Sequence, residues 1–319
     1  MNKIAKITRA LKKYDNFLIT SHINLEGDSI GSQLAVASLL KALGKKYIIF
    51  DNDPIPRQFE FLLCGEKVKT ALSAKDKFRA MVVVDCPVIE RTGKVASCAK
   101  KAEVVLNIDH HISNSQFGDI RWVEPDSSSC GEMIYHLFKG LRIPIDKKAA
   151  LAMYVAIVTD TGYFSYENTT HMTHWITGEL IKAGIKPLWV GRHLNEKKSP
   201  NDLRLLQETL KTLRLHYNGR VSTLYTSLGT LKKLGLSTSS TENFVNYGRM
   251  VNTAKIAVFF LERATKEVHV SFRSKGEVDV NKVASLFKGG GHPNASGCLI
   301  RGSIGQAMKT VLPRLKSFL

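Results

Sequence analysis

The stretch of sequence that decides the fold is Ala102-Glu103-Val104-Val105-Leu106-Asn107-Ile108-Asp109-His110-His111. The part from Ala102 to Ile108 is short, β-branched and apolar, which predicts a parallel strand that is buried on both faces. The Asp-His-His triplet then lies at the carboxyl end of that strand, where open α/β sheets bind their ligands. Such a triplet favours a metal site, although a surface loop could contain it without binding anything.

Three further apolar runs end in groups that can bind a metal. They are Phe17–Thr20, followed by His22, Glu26 and Asp28; Met81–Val84, followed by Asp85; and Ala149–Val158, followed by Asp160. A carboxylate directly after a buried strand is costly unless something pairs with it. Oxygen and imidazole ligands without thiolates suit Mn²⁺ or Mg²⁺ better than a structural zinc ion. The sequence therefore predicts one metal site built by four apolar elements.

Several of these residues, taken singly, could serve an ordinary structural role. Asp28 could cap a helix that begins near Ser29, and Asp85 could be a plain loop carboxylate. His171 and His174 lie three residues apart without a neighbouring carboxylate, so they are interpreted as ordinary helix residues. A purely structural role is much harder to assign to the whole set of six predicted ligands.

The motifs also resemble a known family. The ordered set His22-x-x-x-Glu26-x-Asp28, Asp85, Asp109-His110-His111 and Asp160 resembles the DHH phosphoesterase superfamily. Gly289-Gly290-Gly291-His292-Pro293-Asn294-Ala295-Ser296-Gly297 resembles the signature of the DHH-associated substrate domain. The combination, over nearly the whole chain, resembles the nanoRNase/pAp-phosphatase branch. In one departure, Leu25 and Glu26 replace the Pro and the first Asp of the usual motif His-x-x-Pro-Asp-x-Asp, so that this carboxylate is one methylene longer.

This resemblance implies a Mn²⁺-dependent phosphoesterase that degrades short oligoribonucleotides to mononucleotides and dephosphorylates 3′-phosphoadenosine 5′-phosphate (pAp). The implied cofactors are two divalent cations, Mn²⁺ with Mg²⁺ as the alternative. The expected partners are short single-stranded RNA or small nucleotides, with no membrane and with a homodimer left open. One alternative is a phosphodiesterase for linear or cyclic dinucleotides. Another, from a different class, is a basic RNA-binding protein with a disabled metal site.

The resemblance also assigns roles to the metal-site residues. His22 and Glu26 would complete one metal, and Asp28, His110 and Asp160 would complete the other. Asp85, alone at its strand end, is the choice for the bridging carboxylate. The catalytic residues would be His111, which donates a proton to the leaving oxygen or hydrogen-bonds the phosphate, and Asp109, which orients an imidazole.

A second group of residues is expected to bind the substrate. The glycine run lets backbone N–H groups approach an anion closely, with a flexible turn as the alternative. A guanidinium at the end of a strand could grip a terminal phosphate with two hydrogen bonds. The predicted residues are Arg273, Ser274, Gly289, Gly290, Gly291, His292, Asn294 and Ser296.

Composition narrows the class of protein. The 319 residues include 46 Lys and Arg against 28 Asp and Glu, a formal net charge of +18. This surplus favours polyanionic partners such as nucleic acid, with a lysine-rich solvated surface as the alternative. Five cysteines without a C-x-x-C pair indicate reduced thiols in a cytoplasmic protein. No apolar stretch approaches the roughly 20 residues of a membrane span. The helical spacing of Ile4, Ile7 and Leu11 near the N-terminus predicts an amphipathic helix.

Alternating strand and helix signals predict an α/β fold with two domains. Residues 1–187 would form a DHH domain with a parallel sheet covered by helices, 188–219 a helical linker, and 220–319 a smaller α/β DHH-associated domain. Strands are predicted near residues 17–21, 46–50, 81–85, 103–108, 221–226, 255–262 and 267–273. Helices are predicted near residues 30–43, 199–215, 279–287 and 303–318.

Overall fold

A six-stranded parallel sheet is the centre of the first half of the chain in a computed structural model, which describes residues 3–196, 198–276 and 278–319. Its strands are β1 (Phe17–Thr20), β2 (Tyr47–Phe50), β3 (Val68–Lys69), β4 (Ala80–Val84), β5 (Val104–Asp109) and β6 (Ile120–Val123). They lie in the order β3-β2-β1-β4-β5-β6, and all neighbouring pairs are parallel. Every residue of β5 is buried, as its apolar sequence predicts. The strands β3 and β6 were not predicted from the sequence.

Helices cover this sheet. They are α1 (Lys3–Lys13), α2 (Gly27–Ala42), α3 (Cys130–Leu141), α4 (Lys147–Asp160), α5 (His171–Lys182) and α6 (Pro187–Asn195), with 3₁₀ segments at Arg57–Leu62 and Ile89–Lys101. The side chains of Ser129, Asp146 and Thr170 accept hydrogen bonds from the first turns of α3, α4 and α5. These N-caps fix where each helix begins. The helices α2 and α4 are buried on nearly all sides, which explains their largely apolar sequences.

Two glycines allow α2 and α4 to pack closely. A Cβ on Gly31 would lie 2.3 Å from the carbonyl oxygen of Ala152, and a Cβ on Gly27 would lie 2.2 Å from Oγ1 of Thr159. Neither contact is tolerable, so a larger residue would separate the two helices. The first turn of α2 contains Asp28 and α4 ends at Asp160. The close packing therefore brings two predicted metal ligands together.

Gly31→Ala should destabilise the protein by about 1–3 kcal/mol, because the added methyl group overpacks the contact between α2 and α4. Gly178→Ala is the matched control, since Gly178 lies in α5 with no neighbouring atom within 4 Å of the added Cβ. That change should stabilise the protein by about 0.5–1 kcal/mol through helix propensity. Urea unfolding measures both changes. Equal effects of the two substitutions would contradict the role of Gly31 in close packing.

The second half of the chain contains another six-stranded sheet. Its strands are β7 (Arg214–His216), β8 (Val221–Thr226), β9 (Ile256–Ala264), β10 (Glu267–Ser274), β11 (Gly290–His292) and β12 (Ala295–Arg301). They lie in the order β11-β12-β10-β9-β8-β7, in which only β8 and β9 are parallel among the described pairs. Its helices are α7 (Pro200–Leu210), α8 (Leu228–Leu234), α9 (Phe244–Arg249), α10 (Val280–Ser285) and α11 (Ile304–Leu315). The predicted α/β fold class is confirmed.

The chain divides into two compact units, Met1–Lys197 and Lys198–Leu319. A helical linker was predicted over residues 188–219. In the structure, α6 belongs to the first unit, and α7 and β7 belong to the second. The single helix predicted over residues 199–215 was wrong beyond Leu210. There the chain turns and forms β7, which pairs antiparallel with β8. The pairing supplies backbone hydrogen bonds that leucine spacing alone does not reveal.

Two expectations from composition concern membranes and thiols. Among the described residues, no helix combines the length and the apolar character needed to cross a membrane. All five cysteines carry free thiols, of which Cys64 is exposed and the other four are buried.

Candidate metal centre

The predicted ligands gather where the strand order of the first sheet reverses. The strands β1 and β4 are neighbours, with β2 on one side and β5 on the other, and open α/β sheets bind ligands at the carboxyl ends of such a pair. His22 follows β1, Asp85 directly follows β4, and Asp109 ends β5. The first turn of α2 contributes Asp28, and the end of α4 contributes Asp160. The groups gathered at this edge are His22, Glu26, Asp28, Asp85, Asp109, His110, His111 and Asp160.

Asp85 lies between two sets of ligands. Its Oδ2 is 3.3 Å from Nε2 of His22, and its Oδ1 is 3.7 Å from Nε2 of His110. On the first side, Oε1 of Glu26 lies 3.6 Å from Nε2 of His22. On the second side, Nε2 of His110 lies 3.7 Å from Oδ2 of Asp28 and 3.4 Å from Oδ2 of Asp160. One carboxylate oxygen therefore faces each set, which is the arrangement of a bridging ligand.

The backbone and burial of Asp85 are unusual. Its φ is +50°, in the left-handed region that costs free energy for a residue other than glycine, and its N–H donates to the carbonyl of Ile108 at 3.0 Å. Its Oδ2 is buried and accepts no hydrogen bond from the part of the chain that the structure describes. A buried oxygen without a donor is expensive unless a cation binds it. This observation supports a metal ion at the site.

Backbone contacts orient two imidazoles for metal binding. The Nδ1 of His22 donates to the carbonyl of Ile23 at 2.7 Å, and the Nδ1 of His110 donates to the carbonyl of Ser127 at 3.2 Å. A carbonyl oxygen only accepts, so the proton lies on Nδ1 and Nε2 faces the carboxylates as a metal ligand should. Burial alone would lower the pKa of His110, but Asp28 and Asp85 outweigh burial and raise it.

The carboxyl groups of the site are crowded, and those of Asp28 and Asp85 are buried. Burial, followed by the charge of Asp85, raises the pKa of Asp28 to about 7. Burial also raises the pKa of Asp160 well above its ordinary value, with Asp28 and Asp85 adding to the shift. Divalent cations would remove this repulsion between carboxylates. The donor set of carboxylates and imidazoles thus fits two hard or borderline divalent cations. Burial raises the pKa of Cys130 well above its ordinary value, so that nearby thiol remains protonated.

His111 and Asp109 form a hydrogen-bonded pair at the edge of the cluster, where Nδ1 of His111 also lies 3.6 Å from Oδ1 of Asp85. Oδ1 of Asp109 accepts a 2.7 Å hydrogen bond from Nδ1 of His111, and its Oδ2 accepts one of 2.6 Å from Asn114. Burial would raise the pKa of Asp109, but the hydrogen bonds from His111 and Asn114, together with the charges of His111 and His110, outweigh burial and lower it. Asp109 is thus an anion that orients the imidazole ring. With Nδ1 bonded to Asp109, Nε2 is the nitrogen that can face a substrate.

Two supporting residues were missed in the sequence. Asp51 directly follows β2, is 1 % exposed, and accepts hydrogen bonds from the N–H of Ser21 at 3.3 Å and the hydroxyl of Thr20 at 3.2 Å. It therefore fixes the segment that leads to His22. The rule that identified Asp85, a carboxylate directly after a buried strand, could have found Asp51. Asn114 had no comparable signal, because its contact with Asp109 depends on how the following loop folds.

The predicted substrate-binding residues lie together in the second unit. Arg273 and Ser274 end β10, and the hydroxyl of Ser274 donates to Oδ1 of Asn294 at 2.9 Å. The hydroxyl of Ser296 is buried and donates to the carbonyl of Val280 at 2.6 Å. A flexible turn was the alternative for the glycine run, but Gly290 to His292 form the edge strand β11. An edge strand still directs alternate backbone N–H groups away from the sheet.

Close packing against β12 explains why two of the three residues in the glycine run must be glycine. A Cβ on Gly289 would lie 2.2 Å from the carbonyl oxygen of Gly297, and one on Gly291 would lie 2.5 Å from that of Ala295. Gly291 also has a φ of +146°, which few other residues adopt. A Cβ on Gly290 would meet only Oδ1 of Asn281, at 3.7 Å. Gly289 and Gly291 are thus required for the hairpin of β11 and β12.

Comparisons with known proteins agree with the motifs. The family model described as the DHH family, N-terminal domain, matches residues 16–157, and the DHHA1 domain matches residues 220–319. The chain is 29% identical over 317 residues to the bifunctional oligoribonuclease and PAP phosphatase NrnA of Thermus thermophilus, covering 99% of this chain and 93% of the relative. The protein of the same name from Bacillus subtilis is 29% identical over 298 residues, with 92% of each chain covered.

A solved structure has the same fold. The crystal structure of an exopolyphosphatase-related protein from Bacteroides fragilis matches with a TM-score of 0.87 at 24% identity, covering 99% of this chain and 96% of the other. The resemblance seen in the sequence motifs is confirmed by these matches.

Proposed function

The chain belongs to the DHH family, and from that membership and the geometry of its metal-ligating cluster we propose that it is a Mn²⁺-dependent phosphoesterase acting on short oligoribonucleotides and pAp. The observation that carries the proposal is the position of Asp85, which directs one carboxylate oxygen to each of two ligand sets. The substrates are proposed from the two relatives named as oligoribonuclease and PAP phosphatase.

Each ligand set would bind one cation. His22 and Glu26 would bind the first, Asp28, His110 and Asp160 would bind the second, and Asp85 would bind both. When bound, a pair of such cations supplies a hydroxide nucleophile at neutral pH and neutralises the charge of the phosphoryl group. The fixed Nδ1 protons of His22 and His110 keep both imidazoles oriented toward these positions.

His111 would complete the chemistry by protonating the leaving oxygen from Nε2. Asp109 supports this role, because its carboxylate accepts a hydrogen bond from Nδ1 and fixes the ring with Nε2 available. Asn114 in turn fixes the second oxygen of Asp109. Asn114 thus positions Asp109, and Asp109 positions His111. Of the three side chains, only His111 would touch the substrate.

Glu26 is the one departure from the family motif, and its geometry supports a working ligand. Its side chain is 54% exposed, and its Oε1 lies 3.6 Å from Nε2 of His22. It is also the N-cap residue of α2, where the backbone is extended. The longer arm thus reaches the cluster from outside the first turn of the helix. This argues against the alternative of an RNA-binding protein with a disabled metal site.

Arg273 of the second unit would bind a phosphate group of the substrate. Arg273→Ala should raise KM about tenfold with kcat nearly unchanged, because a phosphate contact worth about 1.4 kcal/mol is lost away from the reacting centre. The salt dependence of KM should weaken as well. Steady-state kinetics with pAp at several salt concentrations measure this. Arg263→Ala, which removes an exposed arginine at the end of β9, is the control. An unchanged KM for every substrate would exclude Arg273 from substrate binding.

One experiment tests the proposal and separates its alternatives. Labelled RNAs of two to five residues, pAp and cyclic dinucleotides are incubated with the protein after chelation, with and without added Mn²⁺. We expect hydrolysis of the short RNAs and pAp with Mn²⁺, little with Ca²⁺, whose larger and more flexible shell fits a compact pair poorly, and none after chelation. Hydrolysis of cyclic dinucleotides alone would support the dinucleotide phosphodiesterase. Binding without hydrolysis would support the RNA-binding protein.

The proposed function also includes a cellular compartment for the enzyme. Free thiols persist in a reducing compartment, so the five unpaired cysteines support a cytoplasmic enzyme.

A further inference from the structure

The outward face of α1 is strongly basic. Lys6, Arg9, Lys12 and Lys13 are exposed, whereas Ile7 and Leu11 of the same helix are fully buried in the core of the first unit. The 11 residues of α1 include no acidic side chain. The helix is therefore amphipathic, with its apolar face covered by the sheet and its charged face directed to solvent.

This charged face continues onto the amino ends of the strands. Nζ of Lys45 donates to the carbonyl of Lys12 at 2.8 Å, which ties the turn before β2 to the end of α1. The carbonyl of the next residue, Lys46, accepts from the N–H of Phe17 at the start of β1. We call the six side chains the basic edge: Lys6, Arg9, Lys12, Lys13, Lys45 and Lys46.

Acidic side chains do little to neutralise the basic edge. Asp15 lies among the six cations and offsets one of their charges, since the hydrogen bonds that its Oδ1 accepts from the backbone N–H groups of Asn16 and Lys46 leave its carboxylate negative. Glu103 is paired with Arg79, whose guanidinium donates two hydrogen bonds to it. The net charge of this surface is therefore strongly positive, and it accounts for part of the +18 of the whole chain.

The basic edge lies at the opposite end of β1 from the metal centre. The carbonyl of Lys46 is hydrogen-bonded to Phe17, the first residue of β1, whereas His22 follows the last residue of this strand. The four residues of β1 span about 13 Å. A ligand at the metals that is as small as a nucleotide cannot also reach the basic edge. The basic edge is thus out of reach of a single nucleotide bound at the metal centre.

The chemistry of the basic edge favours a phosphate backbone over other partners. A helix that binds a membrane directs its apolar face to the lipid, but here that face is buried in the protein. A stable protein partner needs an aromatic or apolar anchor. The large exposed apolar side chains of the described chain all lie beyond residue 100. The half-buried ring of Tyr14 lies under Nζ of Lys13, 4.9 Å from its centroid, so a cation of the basic edge already covers it. The cations of the basic edge therefore favour contacts with phosphates over stacking on bases.

We propose that the basic edge binds the phosphate backbone of single-stranded RNA longer than the substrates, without sequence preference. The binding would keep the enzyme on RNA whose degradation releases short fragments. This inference does not depend on the proposed function, because it concerns binding and a different surface.

The test compares two triple variants by fluorescence anisotropy. The probe is a phosphorothioate RNA of roughly 30 nucleotides, which resists hydrolysis during the titration and still offers the charges that set the salt dependence of binding. Lys6→Gln/Arg9→Gln/Lys13→Gln removes half of the basic edge. Lys232→Gln/Lys233→Gln/Lys309→Gln removes three exposed lysines of the second unit and is the control.

The first variant should bind the RNA more weakly, and the slope of log affinity against log salt should become shallower by about 2, because three phosphate contacts are lost. The control variant should bind like the unmodified protein, and all three proteins should hydrolyse pAp equally. Unchanged RNA binding by the first variant, or an equal loss in both variants, would overturn the inference. So would stronger binding to vesicles of phosphatidylcholine and phosphatidylserine than to RNA. A protein that binds RNA through the basic edge but hydrolyses no substrate would overturn only the proposed function.

Discussion

Asp85→Asn should lower kcat for pAp and for a dinucleotide by about 10³-fold or more, because it weakens both proposed cation positions at once. The amide has no charge, and its nitrogen would direct a donor at one of the two ligand sets. Asparagine tolerates left-handed φ at least as well as aspartate, so the backbone at +50° should be preserved. The substitution therefore removes the charge without changing the turn after β4.

The matched control is Asp126→Asn, which neutralises an exposed carboxylate outside the metal cluster in the same unit. It should change kcat less than twofold, an effect within the usual range for surface substitutions. Steady-state kinetics with saturating Mn²⁺, together with circular dichroism to verify the fold, measure both variants. Comparable kcat for Asp85→Asn and the control would mean that the reaction does not use the cluster.

His111→Asn should lower kcat by about 10²–10⁴-fold while metal binding persists, because a positioned general acid is lost and no proposed ligand is changed. The effect should depend on the leaving group. A p-nitrophenyl phosphodiester releases an oxygen that needs no proton, so its hydrolysis should be reduced far less than that of a dinucleotide.

Asp109→Asn is the companion variant, because it leaves His111 in place and removes the anion that orients it. Its loss should be smaller than that of His111→Asn and should show the same dependence on leaving group. If both substrates lost activity equally in His111→Asn, this residue would bind the phosphate rather than donate a proton.

The sequence predicted the parts of the fold that follow from short, uniformly apolar segments. The strands β1, β2, β4 and β5 end within one or two residues of the predicted positions. Their carboxyl ends meet at one edge because all four are parallel, and this allowed distant residues such as His22 and Asp85 to be placed together. The ligands at the start of α2 and the end of α4 followed from the same reasoning about apolar runs.

Other features depend on tertiary contacts that no local pattern encodes. The strand β3 has two residues, too few to show a pattern, and β11 consists of Gly290, Gly291 and His292, none of which is β-branched. The glycines of β11 are explained by the close approach of β12. Asn114 supports Asp109 from a loop whose folding no local pattern predicts. Asp51 is different, because its position directly after β2 is a local signal that was overlooked. The division of the two oxygens of Asp85 between two ligand sets likewise required the structure.

The most direct test of the two-cation centre is a calorimetric titration of Mn²⁺ into the metal-free protein and into Asp85→Asn. The unmodified chain should bind two Mn²⁺ ions, because Asp85 completes both ligand sets. Asp85→Asn should bind at most one, and more weakly. Two Mn²⁺ ions bound by Asp85→Asn with the affinity of the unmodified protein would contradict the bridging role of Asp85 and the mechanism built on it.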